Sequence, residues 1–423
     1  MTSHRELADW LQFIGSQHHK EMELGLARIQ RVAGLLGLEK FDCPVITVAG
    51  TNGKGSSVAM LESIYLAAGY RTCAYTSPHL TVFNERIRVA GAFCSDADLC
   101  DAFARIDSNR SGIALTYFEF ATLAALLIFS EAEPDVVILE VGLGGRLDAV
   151  NIMAPDVSLI TRVGIDHTDW LGDDREAIGR EKAGIIHPTS MAVISDTEPP
   201  LSVTRAAGNT ARASFFLGPH FSYEKQDDQW HWIHGDHGID GLPPPGTGQA
   251  QFNNASGVLM AIAILQDRLT VSDADIRKGL AEMKLAGRFQ VIDGEPKVIL
   301  DVAHNEDSAA LLADNLSSED CAGRTLAVCG MLADKDIDAA MEKMVSLVDH
   351  WYTGGLDAAR SASGEELARI LVCNGAADVS QFNRIESAWA AARADASGDD
   401  RIVVFGSFHT VGAIISIFPS DNA

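Results

Sequence analysis

VITVAGTNGKGSS, from Val45 to Ser57, is an apolar, β-branched run that stops abruptly in a glycine-rich turn carrying one lysine and several hydroxyls. A strand-to-helix turn of this kind cradles phosphate. Backbone N–H groups at Gly50, Gly53 and Gly55 can converge on phosphate oxygens at a helix N-terminus, and Lys54 can reach the terminal phosphates as a point charge. Nucleoside triphosphate chemistry is therefore the first expectation. The loop departs from GxxxxGK[ST] twice: Val48 stands where the first glycine would be, and Gly55 separates Lys54 from the hydroxyl of Ser56. Alone, the turn also reads as an ordinary strand-to-helix connection.

Around this loop, apolar strand-like runs alternate with helical patterns. Val45 to Ala49, Thr72 to Thr76, Val136 to Val141, Val157 to Thr161 and Ala192 to Ser195 are the strand candidates, and Phe118 to Ser130 reads as a buried crossover helix. The rhythm predicts a parallel sheet covered on both faces. Tyr223 to Gln249 changes to aromatic, histidine and glycine-proline texture and is expected to form a hairpin and a surface loop. Helical patterning returns from Asn253 to Lys284. A second α/β alternation then uses Val298 to Asp301, Thr325 to Gly330, Trp351 to Thr353 and Arg401 to Gly406 as strands. The expected division is 1–287, a linker at 288–294, and 295–423: a P-loop-type parallel-sheet ATPase domain followed by a smaller Rossmann-like α/β domain.

The 423 residues, 47% of them apolar, are enough for two buried cores. With 33 basic and 58 acidic residues the formal net charge is −25, which argues against a broad electrostatic grip on nucleic acid or an anionic membrane. MTSHRELADWLQF has no signal-like apolar core, and the longest apolar run, Val258 to Leu265, is too short for a bilayer. Seven scattered cysteines without a CxxC pair read as reduced core residues. The expectation is a soluble, cytoplasmic protein, and the acidic surface without a coiled-coil pattern leans toward a monomer.

In open parallel sheets, ligands sit beyond the carboxyl ends of the strands. Here those ends carry the 52–56 loop, Ser77-Pro78-His79, Glu140, Asp166-His167 and Asp196. Oxygen and imidazole groups beside a phosphate cradle suit magnesium, a hard cation that keeps some of its waters. Each has a plainer reading. Glu140 could cap the turn that follows it, His167 could bond a loop backbone, and Lys182 in GREKAGI could be a solvated helical lysine. His231, His234 and His237 with Asp236 fit a hairpin turn better than a metal site. The second alternation leaves Asp301, His304 and Asn305, then Asp334 and Lys335, then Ser407 and His409 at its own strand ends. That second polar rim is expected to face the first across an interdomain cleft. Arg288, in AGRFQ, is placed to reach phosphate, or else forms a linker ion pair.

TVAGTNGKGS, TSPHL with NERIRV, LTYFEF, DVVILEVGLGGRLDAVNI, DHTDWLG with REKAGI, GRFQ, LDVAHN and GSFHT together resemble the bifunctional dihydrofolate synthase/folylpolyglutamate synthase family of the Mur ligase superfamily, over nearly the whole chain. Both departures in the phosphate loop are also features of that family. The resemblance implies an ATP-dependent amide ligase that adds L-glutamate to 7,8-dihydropteroate, and to the γ-carboxylate of reduced folates, through an acyl phosphate. Carried over by position, Thr51, Asn52, Gly53, Lys54, Gly55 and Ser56 would hold ATP, with Asn254, Arg288 and Asp301 completing the nucleotide site. Ser77, Glu140, His167 and a carbamylated Lys182 would serve two Mg2+ ions. Thr116, Tyr117, Phe118 and Glu119, with Leu147, Asp148 and Ala149, would bind dihydropteroate. Lys54, Asp301, His304, Ser407 and His409 would act in catalysis, the last three on the L-glutamate side. Carbamylation needs a neutral amine, which burial favours.

Two rivals remain at this level. A Mur-type amino acid ligase of cell-wall precursor synthesis would share the fold, but usually has a hydroxyl directly after the loop lysine and lacks TYFE and LGGRLDA. An ATP-sensing module without turnover would not need ligand-bearing residues on both rims.

Overall fold

A computed structural model describes residues 5–18, 23–226, 228–358 and 360–418; the first four residues of the N-terminal stretch discussed above lie outside it. The chain divides into two compact units. The first comprises Met1–His79, Phe83–Gly164 and Asp169–Met283; the second comprises Leu80–Val82, Ile165–Thr168 and Lys284–Ala423.

The N-terminal unit holds β1 (Val45–Ala49), β2 (Thr72–Tyr75), β3 (Ile87–Val89), β4 (Ala92–Phe93), β5 (Val136–Glu140), β6 (Val157–Ile160), β7 (Met191–Ile194) and β8 (Ala213–Phe216). They form one sheet in the order β4-β3-β2-β5-β1-β6-β7-β8, parallel from β2 to β8, with the β3–β4 hairpin antiparallel at one edge. Every residue of β1 is buried because both faces are covered. Val45 and Ala49 join the core that contains the helix Tyr117–Ala132, while Ile46 and Val48 join the one that contains the helices Lys54–Ala67 and Gln249–Ile264. This two-sided burial is why the strand, Thr47 apart, is a continuous apolar run rather than alternating. The strand order reverses at β1, flanked by β5 and β6, so the crevice beyond its carboxyl end opens at the glycine-rich loop.

The Tyr223–Gln249 region departs from expectation. β9 (Ser222–Gln226), β10 (Gln229–His234) and β11 (His237–Leu242) form a three-stranded antiparallel sheet. Trp230, Trp232, Ile239 and Leu242 are buried in the same core as Val258 and Leu259, so this element is a packed layer rather than a surface loop. The helical patterning from Asn253 to Lys284 is carried by two helices, Gln249–Ile264 and Asp273–Glu282, the second begun by a capping box between Ser272 and Asp275.

The C-terminal unit holds β12 (Gln290–Ile292), β13 (Lys297–Leu300), β14 (Thr325–Cys329), β15 (His350–Gly354), β16 (Val379–Phe382) and β17 (Arg401–Phe405), in the order β12-β13-β17-β14-β15-β16. β12 runs antiparallel to β13 at the edge and the others are parallel. The units part at Met283 and Lys284. The stretch 288–294, expected as a linker, contributes β12 to this sheet, because Ile292 finds cover in its core. No helix among the described residues is long and apolar enough to cross a membrane.

Candidate functional site

The glycine-rich loop is braced from β6. The Thr51 N–H donates to the Arg162 carbonyl (2.7 Å), the Thr51 hydroxyl donates to the Gly164 carbonyl (2.9 Å), and the Thr161 hydroxyl donates to the Asn52 carbonyl (2.8 Å). Gly53 opens the helix Lys54–Ala67 at φ +96°, and no side chain caps that helix start. A Cβ at Gly53 would meet the amide of the buried Asn254 at 2.5–2.9 Å, so glycine is required on both counts. An uncapped helix start beneath a glycine loop is the arrangement that receives phosphate.

Two lysines meet at this loop. Lys54 Nζ donates to the carbonyls of Gly50 (3.0 Å) and Thr51 (3.1 Å). Lys182 Nζ, from the end of the helix Arg175–Lys182 and only 5% exposed, donates to the same Gly50 carbonyl at 2.9 Å. Its placement follows from glycines in the 142–148 loop. A Cβ at Gly145 would stand 2.8 Å from the carbonyls of both Glu181 and Lys182, and the Arg146 N–H donates to the Glu181 carbonyl at 2.8 Å. LGGRLDA therefore packs directly on the turn that presents Lys182. At the end of β5, Glu140 is 4% exposed, and its Oε2 accepts the Ser77 backbone N–H at 3.2 Å.

Ser56, also expected at the phosphates, is buried, and its Oγ accepts a hydrogen bond from the Gln251 amide at 3.4 Å. The structure thus adds Gln251 to the loop's neighbours, a residue that carries no motif in sequence.

Around the expected pterin segments, Thr116 caps the helix Tyr117–Ala132 in a capping box with Glu119. The buried Glu119 carboxylate accepts the Thr116 N–H at 2.8 Å and pairs with Arg28 at 3.2 Å, so it is committed to the helix start. Phe118 lies where a Cβ on Gly142 would go and packs on Tyr75 with ring centroids 6.0 Å apart. Tyr117 packs edge-on against Phe83 at 5.9 Å. Asp148 is buried and accepts the N–H groups of Leu143 (2.8 Å) and Val150 (3.0 Å). Burial pushes its carboxyl up to about 6, against the opposing pull of those amides and of the Lys54 charge. Leu147 is half-buried and Ala149 buried beside it.

The remaining expected residues lie in the C-terminal unit. Asp301 accepts the N–H groups of Phe289 (2.8 Å) and Ala303 (2.7 Å), and burial pushes its carboxyl up to about 6 although Arg288 and His304 pull it down. Arg288 lies 5.9 Å from the Phe408 ring, and the His304 ring is 6.3 Å from the same phenyl, which makes Phe408 a shared support. Ser407 caps the helix Phe408–Ile415, its Oγ accepting the Thr410 N–H at 3.0 Å. His409 is exposed, and the partial desolvation of its ring together with the Arg360 charge lowers its pKa. His167 sits in the Ile165–Thr168 segment that groups with this unit, at φ +53°, with its Nε2 3.4 Å from Lys335 Nζ.

Among the described residues, no three His, Cys, Asp or Glu side chains gather closely enough to hold a metal ion. One buried carboxylate, Glu140, next to Ser77 is a hard-oxygen pair that suits an ion completed by phosphate oxygens and water, and it fits magnesium or manganese better than zinc.

The Mur ligase middle domain model matches residues 48–217, and the Mur ligase glutamate ligase domain model matches residues 287–408. The dihydrofolate synthase/folylpolyglutamate synthase of Escherichia coli is 43% identical over 417 residues, covering 99% of this chain and 96% of that protein. The chain belongs to the dihydrofolate synthase/folylpolyglutamate synthase family. Solved structures of this family share its fold. E. coli FolC in complex with DHPP and ADP superposes with a TM-score of 0.93 at 42% identity, covering 98% of this chain and 97% of that one. A bifunctional folylpolyglutamate synthase/dihydrofolate synthase with Mn, AMPPNP and L-glutamate bound gives 0.89 at 43% identity, covering 97% and 98%. The family is one of ATP-dependent ligases.

Proposed function

We propose that this chain uses ATP to join L-glutamate in amide linkage to 7,8-dihydropteroate, giving dihydrofolate, and to the γ-carboxylate of reduced folates, giving folylpolyglutamates. The observation that carries this reading is the meeting of Lys54 and Lys182 on the Gly50 carbonyl of an uncapped glycine loop, with the 142–148 loop packed on the turn that bears Lys182.

A carboxylate is a poor electrophile with a poor leaving group, and phosphorylation corrects both faults. A substrate carboxylate oxygen attacks the γ-phosphorus of ATP and ADP departs. The amine of L-glutamate then adds to the acyl phosphate carbon, giving a tetrahedral intermediate. That intermediate collapses to the amide with release of phosphate and a proton. Thr51 through Ser56 form the phosphate loop, and Lys54 balances the charge of the terminal phosphates. Asn254, Arg288 and Asp301 complete the nucleotide contacts. Thr116 to Phe118 and Leu147 to Ala149 receive the pterin, with Glu119 holding the helix start in place. His304, Ser407 and His409 serve L-glutamate.

Ser77, Glu140, His167 and Lys182 would hold two Mg2+ ions, which when bound neutralise charge as two anions approach one another. Lys182 would serve as its carbamate, since burial favours the neutral amine that takes up carbon dioxide. The test is product formation with ATP and L-glutamate plus either dihydropteroate or a UDP-muramoyl acceptor. Amide formation with dihydropteroate is expected; phosphate release only with the muramoyl acceptor would overturn the reading.

A further inference from the structure

Asp166 belongs to the short segment Ile165–Thr168, which groups with the C-terminal unit and sits between stretches of the other. Its carboxylate is a meeting point for side chains from two separate strand-end loops. Lys335 Nζ donates to Oδ1 at 2.6 Å, Asn305 Nδ2 donates to Oδ2 at 3.0 Å, and His304 Nε2 stands 3.4 Å from Oδ2. The side chains of Asp166 and Lys335 are each only 9% exposed.

The partners are themselves fixed from behind. Asn305 uses its Oδ1 to cap the helix Glu306–Ser318, accepting the Ser308 N–H at 2.9 Å, which aims its Nδ2 at Asp166. His304 Nδ1 faces the Val302 carbonyl at 2.7 Å, which aims its Nε2 the same way. Lys335 stands on a flexible four-carbon stem, and its Nζ also lies 3.4 Å from His167 Nε2. One carboxylate therefore sets where the ammonium and the imidazole stand relative to each other.

We propose that Asp166 is a positioning residue for the ligase reaction, fixing Lys335 and His304 as a pair so that His304 meets L-glutamate in one orientation. This rests on the assignment of His304 to L-glutamate above. An unpaired buried ammonium is expected to swing toward water, and the imidazole loses the partner of its Nε2. The effect should therefore fall on L-glutamate, leaving ATP and pteroate little changed.

The experiment compares wild type with Asp166→Asn, Asp166→Glu, Lys335→Met and the Asp166→Asn/Lys335→Met double variant, measuring KM for each substrate separately. Asp166→Asn should raise KM for L-glutamate about tenfold or more, the scale for breaking a buried charged hydrogen bond, with KM for ATP within about twofold. Asp166→Glu should recover much of that loss, and the double variant should be no worse than Asp166→Asn, because the Lys335 ammonium has already lost its carboxylate there. Histidine NMR of the free protein supplies a readout apart from turnover: the His304 resonance, assigned with His304→Gln, should move in Asp166→Asn. An unmoved His304 resonance, an unchanged KM for L-glutamate, or an equal rise in all three KM values would overturn the proposal. Absence of amide product in the wild type would instead count against the ligase reading, while the NMR comparison would still test the pairing.

Discussion

Gly53→Ala is the perturbation whose consequence is most directly set by the structure. The residue has φ +96°, where an L side chain costs about 1–2 kcal/mol. The new methyl would also lie 2.5–2.9 Å from the Asn254 amide, which is 5% exposed and cannot swing into solvent. Overpacking of that kind adds about 1–3 kcal/mol. Gly69 is the control: it lies just past the other end of the same helix at φ +86°, with nothing within 4 Å of its would-be Cβ. Gly69→Ala should thus show the backbone penalty alone. At roughly 2–4 °C per kcal/mol for a domain of this size, Gly53→Ala should melt about 3–10 °C below Gly69→Ala in differential scanning fluorimetry. ADP affinity by calorimetry should fall about 5- to 100-fold in Gly53→Ala and stay unchanged in Gly69→Ala, because only the first distorts the loop against Asn254. Equal melting temperatures together with equal ADP affinities would refute the contact between Gly53 and Asn254 as the reason for glycine.

Glu140→Gln keeps the shape of a buried side chain that accepts the Ser77 N–H but removes its charge, and should lower kcat about 10²-fold or more with little change in melting temperature; an unchanged rate would remove Glu140 from the metal set. For Lys182, intact-protein mass or high-resolution density should show an added carbon dioxide on Nζ, and short carboxylic acids should restore part of the activity of Lys182→Ala; a bare lysine and no rescue would count against the carbamate. Asp148 gives a pH prediction. Its native carboxyl titrates at about 6 against an ordinary 3.8, so between those values only the native state holds the proton. The stability contributed by this group is complete at low pH and is lost as pH rises through about 6. From pH 5 to pH 8 the wild type should lose about 1.4 kcal/mol relative to Asp148→Asn, measured by urea unfolding; a difference that does not vary with pH would contradict the shift.

The phosphate loop, the parallel strands and the strand-end residues were legible because each is a local signal. A strand buried on both faces reads as a near-continuous apolar run, and a glycine-rich stop beside a lysine marks its end. β9 to β11 were not, because Trp230 and Trp232 alternate with His231 and Ile233, and only the core formed with Val258 and Leu259 shows which face is inside. The break between Ile264 and Asp273 was hidden for a similar reason: apolar spacing resumes on the far side, and the capping box at Ser272 becomes decisive only once the first helix has ended. Asp166 and Lys335 are 169 positions apart, so their pairing could not appear in any window of sequence. The commitment of Glu119 to Arg28 and Thr116 is likewise tertiary, although its T-x-x-E spacing is written in the chain.

In the function proposed above, the loop around Lys54 drives amide formation between a pteroate or folate carboxylate and L-glutamate. The most direct measurement is a product assay that counts ADP and glutamylated product together in the presence of magnesium, ATP, L-glutamate and dihydropteroate. One ADP should appear for each amide formed, with no turnover when either acceptor or L-glutamate is left out and loss of both products in Lys54→Ala. ADP released without any new amide, or amide formation that persists in Lys54→Ala, would contradict it.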